Sequence, residues 1–201
     1  MNARIFKEFS FFSAIHAENT FSINSYTIGL DIDVNTEDMR EQNIAMERIK
    51  FALGTIEDCV FVNENEKTSI ENYSKAGLKV CTIPDDPYDQ VIAVVLLRKL
   101  NSVAEGRLVI TDISIQSLTC DDIKFFVSIE ETTEFSARSN AWWNENNISI
   151  ACIDKKSHKK EKVVSIKKEF FDWGNLGLNW KEITEKNKPV LIELPNSEVP
   201  K

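Results

Sequence analysis

Alternating hydrophobic and polar positions predict strands at both ends of the first 131 residues. The segment 4–15 carries phenylalanine on both alternating faces, and we predict the first strand there. The second strand, 21–34, alternates more cleanly, and two further strands, 107–117 and 123–131, are separated by a turn short enough for a hairpin. The residues expected on the buried face of the second strand are Tyr26, Ile28, Leu30, Ile32 and Val34.

Between these strand pairs the hydrophobic period becomes that of a helix. One amphipathic helix is predicted over 38–56, and a second follows Pro87 with an apolar stripe from Tyr88 to Leu100. The polar stretch 63–79 is expected to be irregular. The predicted order is ββααββ, an α+β fold whose antiparallel sheet carries two helices on one face. The apolar positions of the first helix are Ile44, Met46, Ile49, Leu53 and Ile56.

The last 70 residues have a different pattern, and we treat 132–201 as a β-rich C-terminal extension of a domain spanning 1–131. A hairpin is predicted between 147–153 and 162–168, and a short strand over 189–194. Within that hairpin the lysine-rich run around His158 either contacts an acidic group or forms a solvated turn, and the flanking acids favour the turn. We expect the extension to add an oligomer contact.

Composition excludes several classes of function. The net charge of −8 and the pI of about 5.0 disfavour binding to nucleic acid or to an anionic membrane surface. No apolar run approaches the roughly 20 residues that span a bilayer, and no signal peptide is expected. The four cysteines form no CxxC pair, which is typical of separate thiols in a reducing cytoplasm.

Four short motifs, in the same order, resemble those of 6-pyruvoyl- and 6-carboxy-tetrahydropterin synthases. That family has FSAxH on its first strand, where Phe12–His16 reads FSAIH. The HGHSY or HGHNY of the second strand corresponds to Ser22–Tyr26, which reads SINSY. The family's DHxxLN corresponds to Asp58–Asn63, and its PTAENLA to Pro87–Ala93. The resemblance covers residues 4–131 and implies the tunnelling fold, whose unit is ββααββ.

The resemblance also implies a zinc site that this chain has lost. Three family histidines hold the metal, one from FSAxH and two from HGH. Only His16 matches, because Ser22 and Asn24 stand at the other two positions and neither is a competent zinc ligand. We therefore expect neither a metal nor another cofactor.

The catalytic residues depart from the family in the same way. Asp58 matches the family's aspartate, but Cys59 replaces its histidine, and a thiol is a weak proton shuttle near neutral pH. The family's pterin-anchoring glutamate has no counterpart, since Gln116 and Ser117 lie there. What the resemblance leaves is a vestigial ligand pocket without catalytic residues, lined by His16, Asn24, Asp58, Cys59, Gln90 and Gln116.

Two adjacent tryptophans, Trp142 and Trp143, lie in a polar, asparagine-rich segment. They are typical of an interaction surface, because aromatic side chains dominate binding hot spots, although a plug at one end of the sheet explains them equally well.

The resulting hypothesis is a non-catalytic, zinc-free binding or assembly protein of the cytoplasm. Family members close their open sheets by forming rings, so a homo-oligomer is expected, a trimer or a multiple of it. Its partner is then another protein or a small ligand. The alternative is a metal-independent enzyme or binder that accepts a pterin- or purine-like heterocycle in a subunit-interface pocket. A third possibility, an accessory protein of a phage or mobile element, has no residue in its favour.

Overall fold

The computed structural model describes residues 3–120, 123–132, 141–147 and 172–181. Within them a six-stranded sheet packs with three helices, so the chain is α+β as predicted. The sheet order is β4-β3-β1-β2-β5-β6. The strands are β1 Arg4–Ala17, β2 Thr20–Val34, β3 Cys59–Asn63, β4 Lys79–Ile83, β5 Leu108–Ser117 and β6 Lys124–Ser128, and the helices are α1 Met39–Ile56, α2 Lys67–Lys75 and α3 Asp89–Ala104.

The long β1–β2 hairpin is the centre of the sheet. A two-residue turn joins the strands, and both its residues, Glu18 and Asn19, have positive φ, which is the geometry that suits the twist of a hairpin. The predicted alternation of β2 is confirmed, because Tyr26, Ile28, Leu30 and Ile32 are fully buried and Val34 is half-buried.

Helices α1 and α3 cover one face of the sheet, which we call the helix face. Helix α1 begins at a conventional cap, since the Asp38 side chain accepts a hydrogen bond from the Arg40 amide. Of the apolar positions predicted for α1, Ile44, Ile49, Leu53 and Ile56 are buried. Helix α3 is more apolar, and eleven of its residues are buried.

The stretch 63–79, expected to be irregular, instead belongs to a β3-α2-β4 unit inserted between the two predicted helices. Strand β3 pairs in parallel with β1, and β4 pairs in parallel with β3. Side chains of β3 alternate between two apolar clusters, with Phe61 in the main core and Val62 in a smaller cluster beneath α2. Helix α2 therefore lies on the face opposite α1 and α3.

Strand β2 lies inside the sheet. It pairs with β1 on one side and β5 on the other. In the sheet formed by the described residues, the edge strands are β4 and β6. On β4, the Thr82 carbonyl accepts a hydrogen bond of 2.9 Å from Trp142 Nε1, so that edge is partly covered.

The described parts of the C-terminal extension pack on the main core of the same chain. Trp142, Trp143 and Trp173 are buried members of it. The guanidinium of Arg48 on α1 lies between two indoles, 4.7 Å from the Trp173 ring and 3.8 Å from the Trp180 ring. The predicted hairpin of 147–153 with 162–168, the run around His158 and the strand 189–194 lie outside the described residues.

Candidate functional site

His16 lies under α2, away from the helix face. Tyr73 Oη is 2.8 Å from His16 Nδ1, and Glu66 Oε2 is 2.8 Å from His16 Nε2. Ser69 Oγ, 3.1 Å from Nε2, also donates to Glu66. Both ring nitrogens of His16 are therefore in hydrogen-bond contact, with donor and acceptor roles set by the tautomer. His16 is thus a hydrogen-bonded residue of β1 beneath α2.

Asn24 lies on the opposite face of the sheet from His16. Directly paired residues of an antiparallel ladder point to the same face, and His16 pairs with Phe21 whereas Asn24 pairs with Ser13. The Asn24 amide donates to Thr119 Oγ1 at 2.9 Å, on the helix face. The expectation that His16 and Asn24 line one vestigial pocket is therefore not met within the chain.

The other predicted pocket residues are also spread apart. Asp58 is exposed in a turn with φ of 61°, whereas the thiol of Cys59 is buried and donates to the Ile56 carbonyl. Gln90 is exposed in the first turn of α3. Gln116 pairs with Thr27 on the face away from α1 and α3. A pocket formed between subunits stays a prediction, since the structure contains one chain.

A buried polar group on the helix face escaped the sequence analysis. Asp89, the first residue of α3, is only 4% exposed, and among the described residues neither its Oδ2 nor the buried Tyr26 hydroxyl has a hydrogen-bond partner of good geometry. Burial raises the pKa of Tyr26, the Asn24 side chain opposes that rise, and the charges of Asp89 and Cys120 add to it. An acid at the start of an otherwise apolar helix was the available signal.

Trp142 and Trp143 do not form an exposed surface. Both are buried, at 3% and 2% exposure, and their rings meet edge to face with centroids 5.9 Å apart. The expected interaction surface is thus corrected to a core contact of the extension with α3 and β4. The polar residues around them suggested an exposed segment. Asn144, however, accepts a hydrogen bond from Arg98 of α3.

The sheet face not covered by α1 and α3 carries five large exposed apolar side chains. We call this face of the sheet the open face. Helix α2 covers only the part of it formed by β3 and β4. The ring of Phe6 lies over Gly29, where an added Cβ would come within 2.9 Å of it. The large apolar side chains of the open face are Phe6, Phe12, Phe21, Ile23 and Phe126, with exposures of 57%, 61%, 45%, 74% and 72%.

Among the described residues, no group of three or more His, Cys, Asp or Glu is arranged to hold a metal ion. In the same part of the chain, no helix is long and apolar enough to cross a membrane. No protein-family model matches the sequence, and no curated protein is significantly similar to it. Function is therefore inferred from the residues and their geometry.

Proposed function

We propose that this protein is a non-catalytic, zinc-free, tetrahydropterin synthase-like protein that acts as an oligomeric binding or assembly protein. The observation that carries the proposal is the open face, on which five large apolar side chains remain exposed in the single chain. Several large exposed apolar side chains on one face are typical of a surface that another molecule covers. The occupant that we propose is another copy of the chain.

The dimensions of the open face suit such an assembly. Four strands at about 4.8 Å spacing and nine residues at about 3.3 Å give a face of roughly 600 Å². Two such faces bury about 1,200 Å², the lower limit for specific, stable protein interfaces. The face also carries charges of both signs, since Arg4 lies 3.5 Å from Asp31 and 3.6 Å from Asp112. Contact between copies can therefore pair unlike charges.

The fold supports the likeness to the synthases in outline. If the β3-α2-β4 insertion is set aside, the order ββααββ remains, with β1, β2, β5 and β6 adjacent and antiparallel and α1 and α3 on one face. A tunnelling fold predicts a ring whose sheets face a common interior. In such a ring the apolar side chains of the open face would lie inside, as a trimer or a multiple of it.

The oligomeric state tests the proposal. We expect the purified protein to elute as a homo-oligomer in size-exclusion chromatography with light scattering. Phe12→Asp and Phe126→Asp each place a charge on the open face, and we expect each to shift the protein toward monomer at unchanged helix content. Met39→Asp is the matched control, because Met39 is exposed at the start of α1, away from the open face.

A wild-type protein that stays monomeric at high concentration would contradict the assembly. Metal analysis addresses the second half of the proposal, and stoichiometric zinc that is lost in His16→Gln would contradict the zinc-free assignment.

A further inference from the structure

A cavity of about 150 Å³ lies between α3 and the turn that follows β6. It is partly open to solvent, and it shares no residue with the open face or with the pocket expected from the sequence. A cavity of this size holds a small organic molecule such as benzene. The lining residues are Leu97, Arg98, Asn101, Ser102, Ile129 and Thr132.

Hydrogen bonds hold the guanidinium of Arg98 in place at this cavity, but they use only some of its N–H donors. Its Nε donates to Asn144 Oδ1 at 2.7 Å, and its Nη1 donates to the carbonyl and hydroxyl oxygens of Thr132. Its Nη2 donates no hydrogen bond to the described residues, and no carboxylate among them pairs with it. Arginine keeps its charge in proteins, so within the described part of the chain Arg98 is an oriented cation without a carboxylate partner.

Ser102 adds a second donor on the same side of α3. It follows Arg98 by four residues, and side chains at this spacing are neighbours on a helix surface. Its hydroxyl has no hydrogen-bond partner among the described residues. The Asn101 side chain is already used, because its Nδ2 donates to the carbonyls of Leu97 and Ile110 and its Oδ1 accepts from the Ile110 amide.

We propose that this cavity binds a small monocarboxylate. Arg98 Nη2 and Ser102 Oγ donate to the carboxylate, and the apolar part of the ligand packs against Leu97 and Ile129. One positive charge and one hydroxyl match a monoanion, whereas a phosphate dianion requires more charge and more donors. Guanidinium–carboxylate hydrogen bonds are among the stronger ones in proteins.

Butyrate is the probe, with butyramide as its neutral isostere and inorganic phosphate at equal ionic strength as the competing anion. We expect saturable binding of butyrate by calorimetry and by amide shifts of α3, with butyramide at least tenfold weaker and phosphate weaker than butyrate. Equal binding of butyrate and butyramide would overturn the site, as would tighter binding of phosphate.

Ser102→Ala is the decisive variant, since that hydroxyl makes no hydrogen bond to any described residue. It should weaken butyrate about tenfold, the effect of removing one hydrogen bond to a charged acceptor, at unchanged melting temperature. Arg98→Lys keeps the charge and loses the forked arrangement of guanidinium donors. It should weaken butyrate binding by at least as much as Ser102→Ala does. Lys75→Gln, a loss of one positive charge at an exposed site on α2, should bind as wild type does. Wild-type affinity in Ser102→Ala would overturn the proposal.

Discussion

Lys99 shows how one buried charge can organise a segment of chain. Lys99 is 2% exposed, and its ammonium donates to the carbonyls of Trp142, Glu145 and Asn147 at 3.2, 2.9 and 2.6 Å. Three carbonyl dipoles replace water around the charge. Burial lowers the pKa of Lys99 to about 8, with the charge of Glu145 opposing the shift. In the folded protein the neutral form of Lys99 is therefore more favoured, relative to the charged form, than it is in water.

The sign of the resulting pH dependence follows from that shift. Between pH 8 and the unfolded value of about 10.4, the unfolded chain binds more protons, so Lys99 makes the native state more stable as pH rises. We expect the stability difference between wild type and Lys99→Met to move by about 2 kcal/mol in favour of wild type from pH 7 to pH 10. Urea unfolding at several pH values measures it, with exposed Lys50→Met as control. A pH-independent difference would refute this account.

At the scale of the element, α2 differs from the other helices because none of its residues is fully buried. It is held by partly buried Ile70 and Tyr73, which pack on the small cluster of Ala14, Val60, Val62 and Val80, and by the hydrogen bonds to His16. Burial, and then the charge of Glu66, raise the pKa of Tyr73, so its phenol stays protonated as a donor at neutral pH.

Tyr73→Phe removes the hydroxyl that contacts His16 and keeps the ring that packs beside His16 and Phe21. We expect the free energy of local opening of α2 to fall by about 1 kcal/mol, because His16 Nδ1 loses its partner. Native-state hydrogen exchange should show faster exchange for α2 amides and unchanged protection in α3. Lys75→Met, at an exposed site on the same helix, is the control. An equal loss of protection in both helices would argue against a local role.

The elements predicted from the sequence are those in which hydrophobic residues recur with a clear period. Strands β1, β2 and β5 and helices α1 and α3 each bury one face, and the alternation of β2 or the stripe of α1 reports it directly. Strands β3 and β4 are five residues long and are covered on both faces, so neither alternates in hydrophobicity. The contacts of His16 and Arg98 involve residues distant along the chain, and no local pattern encodes such contacts.

At the scale of the whole molecule, residues 172–181 join the C-terminal part of the chain to both helices of the helix face. Arg48 of α1 donates to the Leu178 carbonyl at 2.9 Å and to Glu105, the residue after α3, at 2.9 Å. Trp180 Nε1 donates to the other oxygen of Glu105 at 2.8 Å. Arg107 lies over the same indole, 4.4 Å from its centroid. The indole of Trp180 therefore lies between two guanidinium groups.

Trp180→Ala should lower the free energy of unfolding by about 2 kcal/mol, since it removes two cation–π contacts and one hydrogen bond to a carboxylate. Denaturant unfolding followed by circular dichroism measures the change. Trp180→Phe keeps an aromatic face and should recover about half of the loss. If Trp180→Ala unfolds within about 0.5 kcal/mol of wild type, the segment does not stabilise the domain.

The β1–β2 hairpin has a consequence for the order of events during synthesis. Its fourteen residue pairs, from Arg4 with Asp33 to Ala17 with Thr20, lie within the first 34 residues. It can form as soon as it leaves the ribosome, yet its outer neighbours β3 and β5 begin only at Cys59 and Leu108. Because synthesis proceeds at about 5–20 residues per second, both edges of the hairpin stay unpaired for several seconds. During that interval nascent chains on neighbouring ribosomes can pair through these edges.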